Sequence, residues 1–294
     1  MTVYCLGSIN MDWIYRLQHA PDAGETLAAL DITKGLGGKG ANQSVAAARA
    51  GAQVRHFGAV GSGGAAALDP MADTGIDVAG VAKLTGEVTG HALILLTPDG
   101  ENRIIIHPGA NRAIPDSVID ALLAAVNTGD FLLLQNETNG QAAAAKAAHE
   151  KGVRVAYSAA PFEIDALTAV LPHIDLLFLN EVEAAQTAEA LGRPVAEIPV
   201  PELVVTKGAD GASWLSPERG DHLDVPAPLV TPIDTTGAGD TFAGYFVAAR
   251  DGGAEVKRAM GLAVHAAALQ VTRPGASPAI PTMKDVLHFG AALP

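Results

Sequence analysis

The sequence predicts an α/β fold: a mainly parallel sheet covered on both faces, joined to a second, smaller sheet. Three observations carry this. From about Asp116 onward, short and fully apolar runs alternate with helix-forming segments, the pattern of parallel strands with helices on both faces. Two earlier stretches, residues 13–33 and 91–107, are half-polar, as antiparallel strands standing off a main body would be. The chain has 294 residues, which suits one large α/β domain or two small ones, either able to bury a proper core, and it shows no internal repeat or low-complexity linker.

Each element has a local reason. Residues 3–6 form a short apolar run ending at Gly7-Ser8, a buried strand. Strand-like stretches at 13–17 and 26–33 flank Pro21-Asp22-Ala23-Gly24, a turn signal. Residues 41–50 favour helix and meet a stop at Gly51. A strand follows at 54–60. Residues 91–96 and 103–107 are apolar runs around Pro98-Asp99-Gly100-Glu101, a hairpin with an Asp-Gly turn. Helices are expected at 117–126, 141–151 and 181–191, with strands at 131–135, 153–157, 176–179, 203–206 and 212–215. Two long helices, 239–250 and 254–272, close the pattern.

Composition excludes several classes. With 19 Lys+Arg against 32 Asp+Glu, the net charge is −13, which argues against nucleic acid or an anionic membrane as partner. A single cysteine excludes a disulfide framework and a Cys-based zinc site. Cys5 sits in an apolar strand, as a core residue would. No basic n-region precedes an apolar run, and no uninterrupted apolar stretch of about 18 residues exists, so a soluble cytoplasmic protein is expected. There is no H-E-x-x-H and no G-x-S-x-G, and the nine His are scattered.

Four segments can carry chemistry. In Asp234-Thr235-Thr236-Gly237-Ala238-Gly239-Asp240-Thr241-Phe242, a small-residue loop runs into a helix, so backbone N–H groups converge where the dipole is positive. Asp240 in the first turn would take a proton from an attacking hydroxyl, or merely complement the dipole. Gly35-Leu36-Gly37-Gly38-Lys39-Gly40-Ala41-Asn42-Gln43 also opens a helix. It contains G-x-G-x-x-G, but no acidic residue lies about 20 positions on to hold a ribose, so a Rossmann oxidoreductase is disfavoured, and the Walker A pattern fails. Its glycines permit close approach to a polar ligand, while Lys39 and Asn42 offer donors. Asn10 and Asp12 follow the first strand, placed to grip hydroxyls or simply to form a turn. In Asn180-Glu181-Val182-Glu183, Glu183 either orders a hydrated cation or closes a capping box with Asn180.

Together and in this order, these segments resemble the ribokinase-like (PfkB-type) sugar kinase family over essentially the whole chain. The resemblance implies a single three-layer α/β/α domain spanning 1–294, with a small β-sheet lid formed by about 12–34 and 90–108. It implies that Asn10, Asp12, Gly38, Lys39, Asn42 and Glu137 contact sugar hydroxyls, and that Asp240 is the catalytic base. The amides of Thr236, Gly237, Ala238 and Gly239 would form the anion hole. Asn180 and Glu183 would order Mg²⁺, Glu183 through water. Thr206, Lys207, Gly208 and Gly211 would form the nucleotide-binding turn, with Gly239 at the phosphates and Val264 and His265 flanking the adenine. Asp234, Thr236, Gln270, Arg273 and Gly275 would hold K⁺, mostly through carbonyls, and the lid would pair two copies as a homodimer.

The resemblance thus implies an ATP-dependent kinase of a primary sugar hydroxyl, with ribose favoured by the Gly-Gly-Lys-Gly-Ala-Asn-Gln segment. Its cofactors would be ATP, Mg²⁺ and K⁺ as activator. A kinase of another pentose, a ketohexose or a nucleoside, and a non-catalytic sugar-binding regulator, are the alternatives. The chain departs from the family's pattern in three places: Ser62-Gly63-Gly64-Ala65-Ala66-Ala67, Ser158-Ala159-Ala160-Pro161 in place of the commoner Asn-Pro-Ala-Pro, and the Pro-rich segment 191–203, where no helix is expected.

Overall fold

A computed structural model describes residues 1–98 and 102–291. In chain order the first half runs β1 (Thr2–Leu6), β2 (Asn10–Arg16), β3 (Asp31–Gly37), α1 (Lys39–Arg49), β4 (Gln53–Ser62), α2 (Ala65–Asp73), β5 (Asp77–Val88), β6 (His91–Leu96) and β7 (Asn102–His107). Then come α3 (Asp116–Ala125), β8 (Phe131–Gln135), α4 (Gln141–Glu150), β9 (Arg154–Ser158), α5 (Ile164–Val170), β10 (Leu176–Asn180) and α6 (Glu181–Leu191). The chain continues through β11 (Glu202–Thr206), β12 (Ala212–Ser216), β13 (Asp221–Val225), α7 (Ala238–Asp251), α8 (Val256–Gln270) and α9 (Met283–Ala291).

The large sheet has the order β13-β12-β11-β10-β9-β8-β1-β4-β5. Pairing is parallel from β5 across to β11 and antiparallel only for the β11–β12 and β12–β13 pairs. Alternation along the strands divides the core between the two faces. Val3, Cys5 and Leu133 pack with α1, α7 and α8 on one side, while Tyr4, Leu6, Leu132 and Leu134 pack with α3, α4 and α5 on the other. This is the expected parallel sheet between two helical layers.

The small sheet has the order β3-β2-β6-β7. Its central pair, β2 with β6, is parallel and not antiparallel as the texture suggested. The chain between them passes through α1, β4, α2 and β5, a crossover of the length that parallel neighbours need. β7 carries Ile104, Ile105 and Ile106, all exposed, and Leu30 and Ile32 are exposed on the opposite edge of the sheet. Of the expected hairpin turn, residues 99–101 lie outside the described residues.

Some elements differ from the reading of the sequence. The second strand of the small sheet is Asp31–Gly37, where 26–33 was expected, because pairing of Gly35, Leu36 and Gly37 with Asp12, Met11 and Asn10 overrides the poor strand propensity of glycine. β5 was not anticipated: it is a sheet-edge strand whose apolar stretch at 78–82 is interrupted by Gly80 and followed by alternating Lys83, Thr85 and Glu87. Gly63-Gly64 in front and Pro70 inside obscured α2. α5, α9 and β13 were also missed, each short or largely solvent-facing. The segment 191–203 holds a single 3-10 turn, Val195–Glu197.

Candidate active site

Strand order reverses at β1, whose partners are β4 on one side and β8 on the other, so a crevice opens at the carboxyl ends of β1 and β8. The loops that follow these strands meet there. Ser8 Oγ donates a short hydrogen bond to Glu137 Oε2, and the Lys39 backbone N–H donates to the same oxygen at 3.0 Å. Gly40 N–H donates to Ser8 Oγ at 3.2 Å. α1 reaches this point only because two glycines face each other: a Cβ on Gly40 would lie 2.5 Å from Gly7 Cα. Gly38, at φ +89°, caps α1 in a conformation that suits glycine.

The hydroxyl-gripping candidates converge on this crevice. Asp12 stands where β2 leaves the core, and Ala92 N–H donates to its Oδ1 at 3.0 Å. Its Oδ2 occupies the space that a Cβ on Gly37 would fill. Burial raises the Asp12 carboxyl to about 6, opposed by the Ala92 amide, reinforced by the charge of Glu137 and opposed again by His91. The Lys39 ammonium is held above its usual range, chiefly by Asp240, against burial and with help from Glu137 and Glu183. Lys39 thus places one cation near these carboxylates, whatever the net charge of −13.

Asn10 is buried, and Asn111 Nδ2 donates to its Oδ1 at 2.8 Å while Asn111 Oδ1 accepts from Ile9 N–H at 2.9 Å. With its oxygen engaged, Asn10 is left to present its amide nitrogen. Asn111 was missed in the sequence because it lies alone in a turn after β7, outside any motif.

Asp240 lies in the first turn of α7, whose N-cap is Gly237 at φ +79°. Asn42 Nδ2 donates to Asp240 Oδ2 at 3.0 Å and Gln43 Nε2 donates to Oδ1 at 3.1 Å, so both carboxylate oxygens are held from α1. Asn42 Oδ1 is buried without a partner. Of the four amides expected to converge here, Thr236 N–H turns to Asp234 Oδ1 and Ala238 N–H to Thr235 O, which leaves those of Gly237 and Gly239.

Beyond the first turn of α7 runs a mostly apolar groove of about 280 Å³, lined by Thr206, Gly208, Gly211, Gly239, Val264 and Val271 among others. Two candidates fall outside it. His265 sits one position past Val264, about 100° further round α8, where its Nδ1 meets Gly261 O and its ring stands edge-on to Phe289. The Lys207 ammonium turns to Asp224 at 3.2 Å.

The loop beside α7 is drawn together by Asp234, which accepts from Thr236 N–H and Gly275 N–H, both at 2.9 Å. Burial raises this carboxyl, but those hydrogen bonds outweigh it and hold the group below its usual range. Gln270 is fully buried, donating to Thr236 O at 2.5 Å and accepting from Thr241 Oγ1 at 3.2 Å, so its side chain braces this loop. The Arg273 side chain turns away to Asp285 at 3.6 Å. Asn180 and Glu183 form a complete capping box, at 2.8 and 2.9 Å. That arrangement uses one Glu183 oxygen and leaves the other.

At the switch point of this α/β sheet the Asp240 carboxylate stands in the first turn of α7, whose Gly239 also lines the apolar groove. The chain belongs to the pfkB family of carbohydrate kinases, whose model matches residues 2–283. It is 34% identical to the ribokinase of Haemophilus influenzae over 302 residues, covering 98% of each chain. Ribokinase of Arabidopsis thaliana complexed with ribose and ATP superposes with a TM-score of 0.86 at 29% identity, covering 98% of both chains. Ribokinase of Cryptococcus neoformans in complex with ADP gives 0.85 at 31% identity, covering 98% of this chain and 99% of that one.

Proposed function

We propose that the protein transfers the γ-phosphoryl group of ATP to the primary hydroxyl of ribose. The observation that carries this reading is Asp240, held by Asn42 and Gln43 at a helix N-terminus between the polar pocket and the apolar groove. Sugar hydroxyls would bond Asp12, the Asn10 amide nitrogen, the Glu137 carboxylate and the orphaned Asn42 Oδ1. The groove would take the adenine against Val264, with Thr206, Gly208 and Gly211 along the nucleotide.

The chemistry then asks mainly for positioning and charge stabilisation. Asp240 takes the proton of the hydroxyl as its oxygen attacks the γ-phosphorus. The bond to the β-phosphate oxygen breaks and ADP leaves. Charge developing on the transferred group is met by the Gly237 and Gly239 amides, the α7 dipole and Lys39. The oxygen donors here fit hard cations. Glu183, through its uncommitted oxygen, would hold Mg²⁺ by way of water, and Mg²⁺ supplies charge neutralisation at the phosphates. The carbonyls around Asp234, Arg273 and Gly275 would hold K⁺, with Gln270 bracing the loop. The lid sheet, with its apolar β7, would pair two copies and keep water from the transferred group.

The decisive experiment is ADP release from Mg-ATP with ribose, 2-deoxyribose, fructose and adenosine, each with and without K⁺. Turnover highest on ribose supports the reading. Turnover highest on another acceptor, or none on any, overturns it. A relative at 30% identity is the deoxyribokinase of Salmonella typhi, so the comparison with 2-deoxyribose tests the finest distinction.

A further inference from the structure

We infer that Gln43 and Gln135 form a buried amide relay that positions the catalytic carboxylate, an inference that rests on the reading of Asp240 as the base. Gln43 Nε2 donates to Asp240 Oδ1 at 3.1 Å and to Ser158 Oγ at 3.1 Å. Gln43 Oε1 accepts from Gln135 Nε2 at 2.8 Å, and Gln135 Nε2 also faces Cys5 Sγ at 3.5 Å. Gln43, Gln135 and Cys5 are all within 1% of full burial. These three residues come from α1, β8 and β1, so the relay threads the core beneath the crevice.

The polarity of the relay follows from its end point. A carboxylate acting as a base offers only acceptors, so Gln43 must present its NH₂ group to Asp240. Its oxygen then faces Gln135, which must in turn present its own NH₂ group. Gln135 Oε1 is consequently stranded, buried without a partner against Gly7. A stranded acceptor in a native core calls for an explanation, and the direction imposed by Asp240 supplies one. Neither amide touches the crevice, so each acts through Asp240. Asn42 on Oδ2 and Gln43 on Oδ1 together stop the carboxylate from rotating and aim one lone pair at the acceptor hydroxyl. Ser158 stands where the family more commonly has Asn, so this chain's departure adds a hydroxyl to the relay.

The test is steady-state kinetics with ribose and Mg-ATP on Gln43→Leu, Gln135→Leu and the double variant, with ribose affinity measured by calorimetry. Misaiming the base should lower kcat by roughly 10- to 100-fold in Gln43→Leu while the ribose Kd moves less than about threefold. Gln135→Leu, which frees the Gln43 amide to flip, should lower kcat less, and the double variant should match Gln43→Leu because both act through one group. An unchanged kcat in a folded Gln43→Leu, or fully additive effects, overturns the relay. Should Gln43→Leu fail to fold, Gln135→Leu alone decides, since an unchanged kcat there removes the relay. Loss of kcat in Asp240→Asn with none in the Gln variants would defeat the relay and leave the base. Activity retained in Asp240→Asn would defeat the base itself.

Discussion

Asn42 Nδ2 lies 3.0 Å from Asp240 Oδ2, a hydrogen bond between residues 198 positions apart in the chain. It joins the two glycine-opened helices, α1 and α7, at their N-termini, and it sets the carboxylate on the side of the crevice where Lys39 also lies. α1 and α7 come this close because Gly244 lets the helices touch: a Cβ there would lie 2.5 Å from Ala46 Cβ.

Asp240→Asn keeps the shape of the side chain and removes the proposed base. Phosphoryl transfer should nearly vanish while calorimetric binding of ribose stays largely intact. Turnover within about tenfold of wild type would show that another group takes the proton.

Asp12 titrates near 6 because burial disfavours its charge. On the proposed reading it accepts sugar hydroxyls and serves best ionised, so the KM for ribose should rise as pH falls below about 6, by up to about tenfold per unit. The KM of an Asp12→Asn variant should be high and flat across the same range. A wild-type KM that stays constant from pH 7 to 5 would remove Asp12 from sugar recognition.

His56 is fully buried between Ser44 Oγ, 2.8 Å from Nδ1, and Gly7 O, 3.1 Å from Nε2. Burial drives its pKa down from 6.5 to about 4, against the Gly7 hydrogen bond. The neutral form is therefore the one the fold accepts. Its contribution is present above pH 6.5 and is lost as pH falls through about 4, amounting to about 3 kcal/mol at most. Asp12 has the opposite sign, because its raised pKa favours the fold below about 3.8 and that contribution is lost as pH rises through about 6. Denaturant titrations of wild type and His56→Gln from pH 7 to 4 separate the two. The variant should lose stability less steeply, and parallel curves would contradict the assignment.

Ile105 is 64% exposed on β7, between Ile104 and Ile106. If this face pairs two copies, Ile105→Asp should shift sedimentation from dimer to monomer and leave the melting of the main domain nearly unchanged. A monomeric wild type would end the proposal.

Much of the fold was legible because the main sheet announces itself. Fully buried strands such as Phe131–Gln135 are continuous apolar runs, and helices such as Glu181–Leu191 carry their own caps. β5 was not legible, because glycines at 80 and 86 weaken its strand propensity and its second half alternates polar and apolar residues at the sheet edge. Nor was the direction of β2 against β6, which depends on where the chain re-enters after its excursion through the core.

The sequence by itself pointed to the class of chemistry through the family resemblance that its glycine-rich segments carry. Two glycine-opened helices, one bearing Asp240 and the other Lys39 and Asn42, stand in the chain as local patterns, since capping, propensity and glycine conformation act over a few residues. Tertiary structure alone decided which groups serve each other. It brought Ser8 to Glu137, Asn111 to Asn10 and Gln135 through Gln43 to Asp240, and it turned His265 and Lys207 away from the groove. Such contacts depend on strand order, register and helix rotation, which packing of the whole core sets and no local pattern encodes.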